Sequence, residues 1–326
     1  MEEKIGDLTL IKPIGEGLFG SIFLAVNNEN STKYAVKLIK SKHIENPIDK
    51  KYIDNEISIL KDINHPNILK VIDIKEKLNN IYIITEYYNG GNLLEIMENN
   101  NNKQFSEETV QYIMKQIIEG MKYLWNKKIM HRHISLDNIM INYEDENDKI
   151  TNNILKGKIK IIDFGYARYL KKGELSNTII GTPLYMSPII LNKLNEQQNY
   201  NDIKYDKKED IWSLGCICYE LLIGYSPFET DNMEELLGKV NKGDYYVPIT
   251  LSKEAVSFLN CMLQFERNNR LSVDALYNHK FLRKNVKEFN KIDINELKNI
   301  EIINNSKIKI NTNNNKEIFE NLGYGL

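Results

Sequence analysis

The chain has 326 residues, 42% of them hydrophobic and 27% charged, with a formal net charge of −2. That length suffices for two lobes with separate cores. The near-neutral charge excludes the basic footprint of a nucleic-acid binder, and no apolar run approaches the roughly 18 residues that a membrane-spanning helix needs. The start, Met1-Glu2-Glu3-Lys4, is acidic and lacks the apolar stretch of a signal peptide. Glu2 also removes the glycine that N-myristoylation requires, so a cytoplasmic location is expected. Of the three cysteines, Cys216 and Cys218 stand two apart in a helical pattern and face different sides. They read as buried thiols rather than zinc ligands.

Residues 8–14 and 21–26 are short apolar runs, joined by Gly15-Glu16-Gly17-Leu18-Phe19-Gly20. Two strands around a glycine-rich turn are expected, with backbone amides free to approach a phosphate. A dinucleotide-binding fold would need a helix after those glycines, and a strand follows instead. Tyr34-Ala35-Val36-Lys37 reads as a further strand. Asn46-Pro47 opens a helix, as cap and first helical residue, and places Tyr52, Glu56 and Leu60 on one face. Residues 68–74 and 81–87 read as strands. Ser106 caps a long amphipathic helix carrying Val110, Ile113, Met114, Ile117, Met121 and Leu124.

That helix leads into His131-Arg132-His133-Ile134-Ser135-Leu136-Asp137-Asn138. Residues 143–157 are polar and turn-rich, an inserted loop of about a dozen residues. Asp163-Phe164-Gly165 follows. Then come Gly181-Thr182-Pro183-Leu184-Tyr185-Met186-Ser187-Pro188-Ile189, a second polar insertion at 192–208, and Asp210-Ile211-Trp212-Ser213-Leu214-Gly215 in a helix that stops at Gly224. Asp231 and Glu234 are spaced as a capping box, Ser272 caps a late helix, and His279-Lys280-Phe281 closes the pattern, with His279 read as structural.

In this order the motifs resemble the eukaryotic protein kinase superfamily, on its serine/threonine branch. The stretch Asp163 to Leu170 is similar to the autophagy-initiating kinases. The resemblance implies an α+β, bilobal fold: a kinase domain over 8–283, with a β-rich N-lobe at 8–87, a hinge at 86–91, a helical C-lobe at 92–283, and an Asn-, Lys- and Ile-rich tail at 284–326 that packs on the larger lobe or binds a partner. It implies ATP and Mg²⁺ as cofactors and a protein substrate or protein partner. Ile14, Gly15, Gly17, Gly20, Ile22, Ala35, Lys37, Glu56, Thr85, Glu86, Tyr88, Met140 and Asp163 would surround the nucleotide. Lys37 would pair with Glu56, Thr85 would be the gatekeeper, and Asn138 and Asp163 would hold metal. Asp210 would brace the catalytic loop. Ser176 and Thr178 would be phosphorylation sites facing Arg132.

Three positions depart from the family pattern. His133 stands where the catalytic aspartate belongs, Ser135 where the lysine belongs, and Ile189 where a glutamate pairs with an arginine, here Arg270. The nucleotide side is thus complete and the acceptor side is not. Phosphates would hold an imidazole as imidazolium, which is no base, and a serine cannot supply the lysine's charge to the γ-phosphate. Losing a positioned base costs about 10²–10⁴-fold. The expectation is a nucleotide-binding pseudokinase with weak or no transfer. The alternative is an active kinase with His133 in the catalytic position.

Overall fold

The computed structural model describes residues 3–169, 183–195, 205–230, 232–291, 302–303 and 307–311. Its first part is a six-stranded antiparallel sheet of order β1-β2-β3-β4-β6-β5. The strands are β1 (Lys4–Ile5), β2 (Leu8–Gly17), β3 (Gly20–Asn27), β4 (Lys33–Ile39), β5 (Val71–Lys77) and β6 (Asn80–Glu86). Alternation sets the two faces: Val36 and Leu38 of β4 are buried in the sheet's own core with Ala25, Tyr82 and Ile84, and Lys37 faces the other way. At Gly20 an added Cβ would lie 1.9 Å from the Leu38 carbonyl oxygen, so only glycine lets β3 pass β4 there.

Helix α1 (Ser41–Glu45) leads into α2 (Pro47–Asp62). The Asn46 side chain accepts from the amides of Ile48 and Asp49, and Pro47 occupies the first helical position. Ile53, Glu56, Ile59 and Leu60 are buried on one face.

The larger lobe is helical. It begins with α3 (Leu93–Glu98) and α4 (Glu107–Asn126). Ser106 Oγ accepts from the Thr109 amide, and Glu107 and Glu108 sit in the first turn, where the helix dipole favours them. The stripe from Val110 to Leu124 is fully buried, each such side chain stabilising the fold by about 1.5–3 kcal/mol before entropy is counted. Beneath the cleft lie β7 (Ile129–Met130), β8 (Ile139–Asn142), α5 (Glu146–Ile150), β9 (Lys158–Ile161) and β10 (Arg168–Tyr169). Then follow α6 (Pro188–Asn195), α7 (Lys207–Ile223), α8 (Met233–Lys242), β11 (Asp244–Pro248), α9 (Lys253–Met262), α10 (Val273–Tyr277) and α11 (Lys280–Arg283). Almost every residue of α7 is buried, and it ends at Gly224 with φ +94°. Cys216, Cys218 and Cys261 are buried thiols, with burial pushing each one up from its ordinary value. The fold is the bilobal α+β arrangement expected.

Three details differ from the sequence reading. The insertion at 143–157 contains α5, capped by Asp145, and Tyr143 and Ile154 are buried. Asn89 holds it from a distance: its side chain accepts from the Tyr143 amide at 2.9 Å and donates to the Tyr143 carbonyl at 3.0 Å. The second insertion is partly helical, since α6 runs to Asn195 and Tyr205 is buried. Helix α8 is capped by Asn232, whose oxygen accepts from the amides of Glu234 and Glu235; Asp231 lies outside the described residues. In the tail, the described strands pack on the larger lobe, one of the two outcomes expected. β12 (Ile302–Ile303) and β13 (Lys307–Asn311) join β11 in an antiparallel sheet of order β11-β13-β12, with Lys309 Nζ 3.0 Å from Asp244.

Candidate active site

The glycine-rich turn joins β2 to β3, with Gly15 opposite Ile22 and Gly17 opposite Gly20. A Cβ on Gly17 would come within 3.1 Å of Lys37 Cε, so the bare backbone is what lets the turn lie over the lysine. Phe19 at its tip is buried against His43 and Tyr52, at ring distances of 6.0 and 6.1 Å. Ile14 is exposed, and Ile22 and Ala35 are half-buried beside the turn.

Lys37 Nζ donates to both carboxylate oxygens of Glu56, at 2.6 and 2.9 Å. β4 supplies the amine and α2 the carboxylate, so the pair fixes the helix against the sheet. Both side chains are nearly buried, and removing either would strand a charge.

At the end of β6 the Thr85 hydroxyl donates to the Ala35 carbonyl at 3.2 Å. Glu86 faces Lys70 and Lys160 at 3.4 and 3.6 Å. The Tyr88 side chain points into the fold, where its oxygen accepts from the Lys70 amide and burial raises its phenol. Across the hinge the Gly90 amide donates to the Ile141 carbonyl and the Ile141 amide donates to the Gly91 carbonyl, and Met140 is bridged to Asn92, half-buried on the C-lobe side.

The loop from His131 to Asn138 is held from behind by Asp210. Its carboxylate accepts from the amides of His131 and Arg132, from Trp125 Nε1 at 3.0 Å and from the Tyr205 hydroxyl. Arg132 lies at φ +71°, a left-handed backbone that these amide bonds hold in place. Burial lowers the His131 imidazole to about 4, so it is neutral and Nε2 donates to the Ile162 carbonyl at 3.0 Å. The edge of Phe164 packs on it.

Position 133 closes the network. His133 Nδ1 lies 3.4 Å from Asp163 Oδ2 and 3.2 Å from Asn138 Nδ2. The Asn138 amide also donates to the His133 carbonyl at 3.0 Å and to Ser135 Oγ at 3.2 Å. Ser135 is buried and spends its hydroxyl inside the loop. Asp163 sits at φ +61°. Burial pushes its carboxyl up, but the neighbouring His133, the charge of Lys37 and the Gly165 amide overcome that and hold it at about 2. Among the described residues no group of three or more His, Cys, Asp or Glu gathers to hold a metal.

Without a glutamate at 189, Arg270 needs another partner or water, and the partner is Glu209, whose carboxylate lies 3.0 Å from Arg270 Nη1 with both side chains buried. Glu209 also accepts from the Ser187 hydroxyl and pairs with Arg267. Ile189 is exposed on α6. A signal was available: beyond its charged first turn α7 is almost wholly apolar, so the helix is buried and an acidic residue at its start needs a partner. Ser176 and Thr178 lie outside the described residues; Arg132, their expected partner, is buried over the Tyr205 ring.

Among the described residues no helix is long and apolar enough to cross a membrane. The family model for the protein kinase domain matches residues 8–282. A similar curated protein is calcium-dependent protein kinase 5 of Plasmodium berghei (strain Anka), 33% identical over 309 residues, which are 94% of this chain and 50% of that protein. The chain thus spans about half the length of that relative. With the two-lobed architecture and the motifs in family order, the chain belongs to the eukaryotic protein kinase superfamily and is by family a serine/threonine protein kinase.

Proposed function

We propose that this protein binds ATP with a divalent cation but transfers phosphate weakly or not at all, and acts as a signalling regulator or scaffold whose lobes close on the nucleotide. The observation that carries the reading is the contact of His133 with Asp163, where the family has a carboxylate that orients the acceptor hydroxyl.

The residues present fit the nucleotide and a cation. Lys37 is positioned by Glu56 to meet phosphate oxygens, and the backbone of Gly15, Gly17 and Gly20 lies above it. The ionised Asp163 carboxylate and the Asn138 amide oxygen suit a hard cation. The cation, Mg²⁺ by the family's pattern, would neutralise charge between the phosphates. On the acceptor side, Ser135 offers no positive charge and is engaged by Asn138. The predicted cost of losing the positioned base alone is about 10²–10⁴-fold.

A second reading, an active serine/threonine kinase with His133 in the catalytic position, is favoured by one observation. The Glu209–Arg270 pair keeps the segment around Ser187 anchored although Ile189 replaces the family glutamate. The two readings separate on the double variant His133→Asp with Ser135→Lys. The first expects phosphate transfer to rise from near zero. Activity that is already present and falls in the double variant would sink it.

A further inference from the structure

Placing an imidazole at position 133 changes the donor set that faces Asp163. The 3.4 Å between His133 Nδ1 and Asp163 Oδ2 is long for a charge-assisted hydrogen bond, ordinarily about 2.7–2.9 Å. It suits two ligands of one ion: donors about 2.1 Å from a shared dication and 3.4 Å apart subtend roughly 108°, close to tetrahedral. The surroundings engage both donors only through long or shared contacts. The two amide hydrogens of Asn138 are shared among three acceptors, the His133 carbonyl, Ser135 Oγ and His133 Nδ1, at 3.0, 3.2 and 3.2 Å, so a cation at Nδ1 would displace only one shared contact. The Gly165 amide takes the other carboxylate oxygen, Oδ1. Tyr166 stands edge-on to the imidazole at 5.2 Å and fixes its plane. Both side chains keep an open side, at 19% and 23% exposure.

We propose that His133 Nδ1 and Asp163 Oδ2 form a cation site, completed by phosphate oxygens of bound ATP, that prefers a first-row transition dication such as Zn²⁺ or Co²⁺ to Mg²⁺. This rests on the nucleotide-binding reading above. Mg²⁺ demands oxygen ligands in near-octahedral array, whereas imidazole suits zinc and its neighbours, whose affinity for nitrogen and oxygen donors is intrinsically higher. Two protein donors do not hold an ion alone, in keeping with the lack of a three-residue cluster among the described residues. The site therefore needs the nucleotide.

The test is titration calorimetry of ATP into the full chain with Mg²⁺, with Co²⁺ and with chelator, alongside the visible d–d spectrum of Co²⁺. The variants are His133→Ala and His133→Asp, with melting curves to show that each is folded. Wild type should bind ATP about tenfold or more tightly with Co²⁺ than with Mg²⁺, the scale on which even the outer partners of metal ligands act. It should show intensified tetrahedral bands only when ATP is present. Both features should vanish in His133→Ala, and His133→Asp should restore preference for Mg²⁺. ATP binding that is indifferent to the cation, or cobalt bands that survive His133→Ala, would overturn the cation site and leave the nucleotide reading standing. No ATP binding under any condition would overturn both.

Discussion

Glu209 and Arg270 form a fully buried ion pair at 3.0 Å, and it does the work that the family assigns to a glutamate at position 189. The carboxylate has moved from the start of α6 to the first turn of α7, while the arginine has stayed. The Ser187 hydroxyl donates to the same carboxylate, so the chain just before α6 is tied to the core of the lobe. Of the three departures from the family pattern, this one is compensated. Under the proposed reading, those at 133 and 135 are not.

The relocation predicts unequal costs. Glu209→Ala should destabilise the fold by about 3–5 kcal/mol, because it leaves a buried guanidinium uncompensated. Ile189→Ala, at an exposed position, should stay within about 0.5 kcal/mol. Urea unfolding of both variants decides; equal losses would mean that the pair is not the anchor.

Asp210 should matter through backbone geometry. Asp210→Ala removes the acceptor for two loop amides, Trp125 and Tyr205, and each buried donor left unsatisfied costs about 1–3 kcal/mol. Amide exchange at His131 and Arg132 should speed up more than exchange in α4. Unchanged exchange at those two amides would contradict the bracing role.

Two buried histidines set a pH window. His131 and His279 are both lowered by burial from 6.5 to about 4, and His279 Nδ1 accepts from the Phe281 amide. Between pH 6.5 and 4 the unfolded chain binds protons that the folded chain refuses. Stability therefore falls as pH falls through this window, by on the order of 3 kcal/mol for each histidine at pH 4. His279→Asn, which keeps a capping oxygen, should remove about half of that slope. Asp163, held at about 2, loses its contribution only below the ordinary carboxylate range and does not blur the window. A slope unaffected by His279→Asn in denaturation at stepped pH would refute this.

The tail strand should protect β11. Ending the chain at residue 291 removes β13, which pairs with all five residues of β11. Amide exchange across Asp244–Pro248 should then rise, while Tyr245 and Val247 stay packed in the core. Protection equal in the full and shortened chains would mean that β13 adds nothing.

Much of the site was readable before any coordinates. The glycine turn, Lys37, Glu56 and Asp163 are residue types at family spacing, and the helix starts at Asn46 and Ser106 are local capping chemistry. What stayed hidden depends on contacts distant in sequence. The apolar run of α7 says that the helix is buried, but not that Arg270, 61 residues on, meets Glu209 at its start. Polar composition made 143–157 look like a plain loop, because the Asn89 clamp on Tyr143 spans 54 residues. The pairing of β13 with β11 was equally out of reach, since alternating Lys and Ile marks a strand without naming its partner. The approach of His133 to Asp163 needed the loop's geometry as well as its letters.

The most direct test of the central claim is incorporation of phosphate from labelled ATP, with Mg²⁺ and again with Co²⁺, comparing wild type with Asp163→Ala and His133→Ala. The account predicts no wild-type signal above the Asp163→Ala blank, together with an ATP-dependent rise in wild-type melting temperature. A wild-type signal that both substitutions abolish would contradict it and make this a working kinase with a histidine in the aspartate's place.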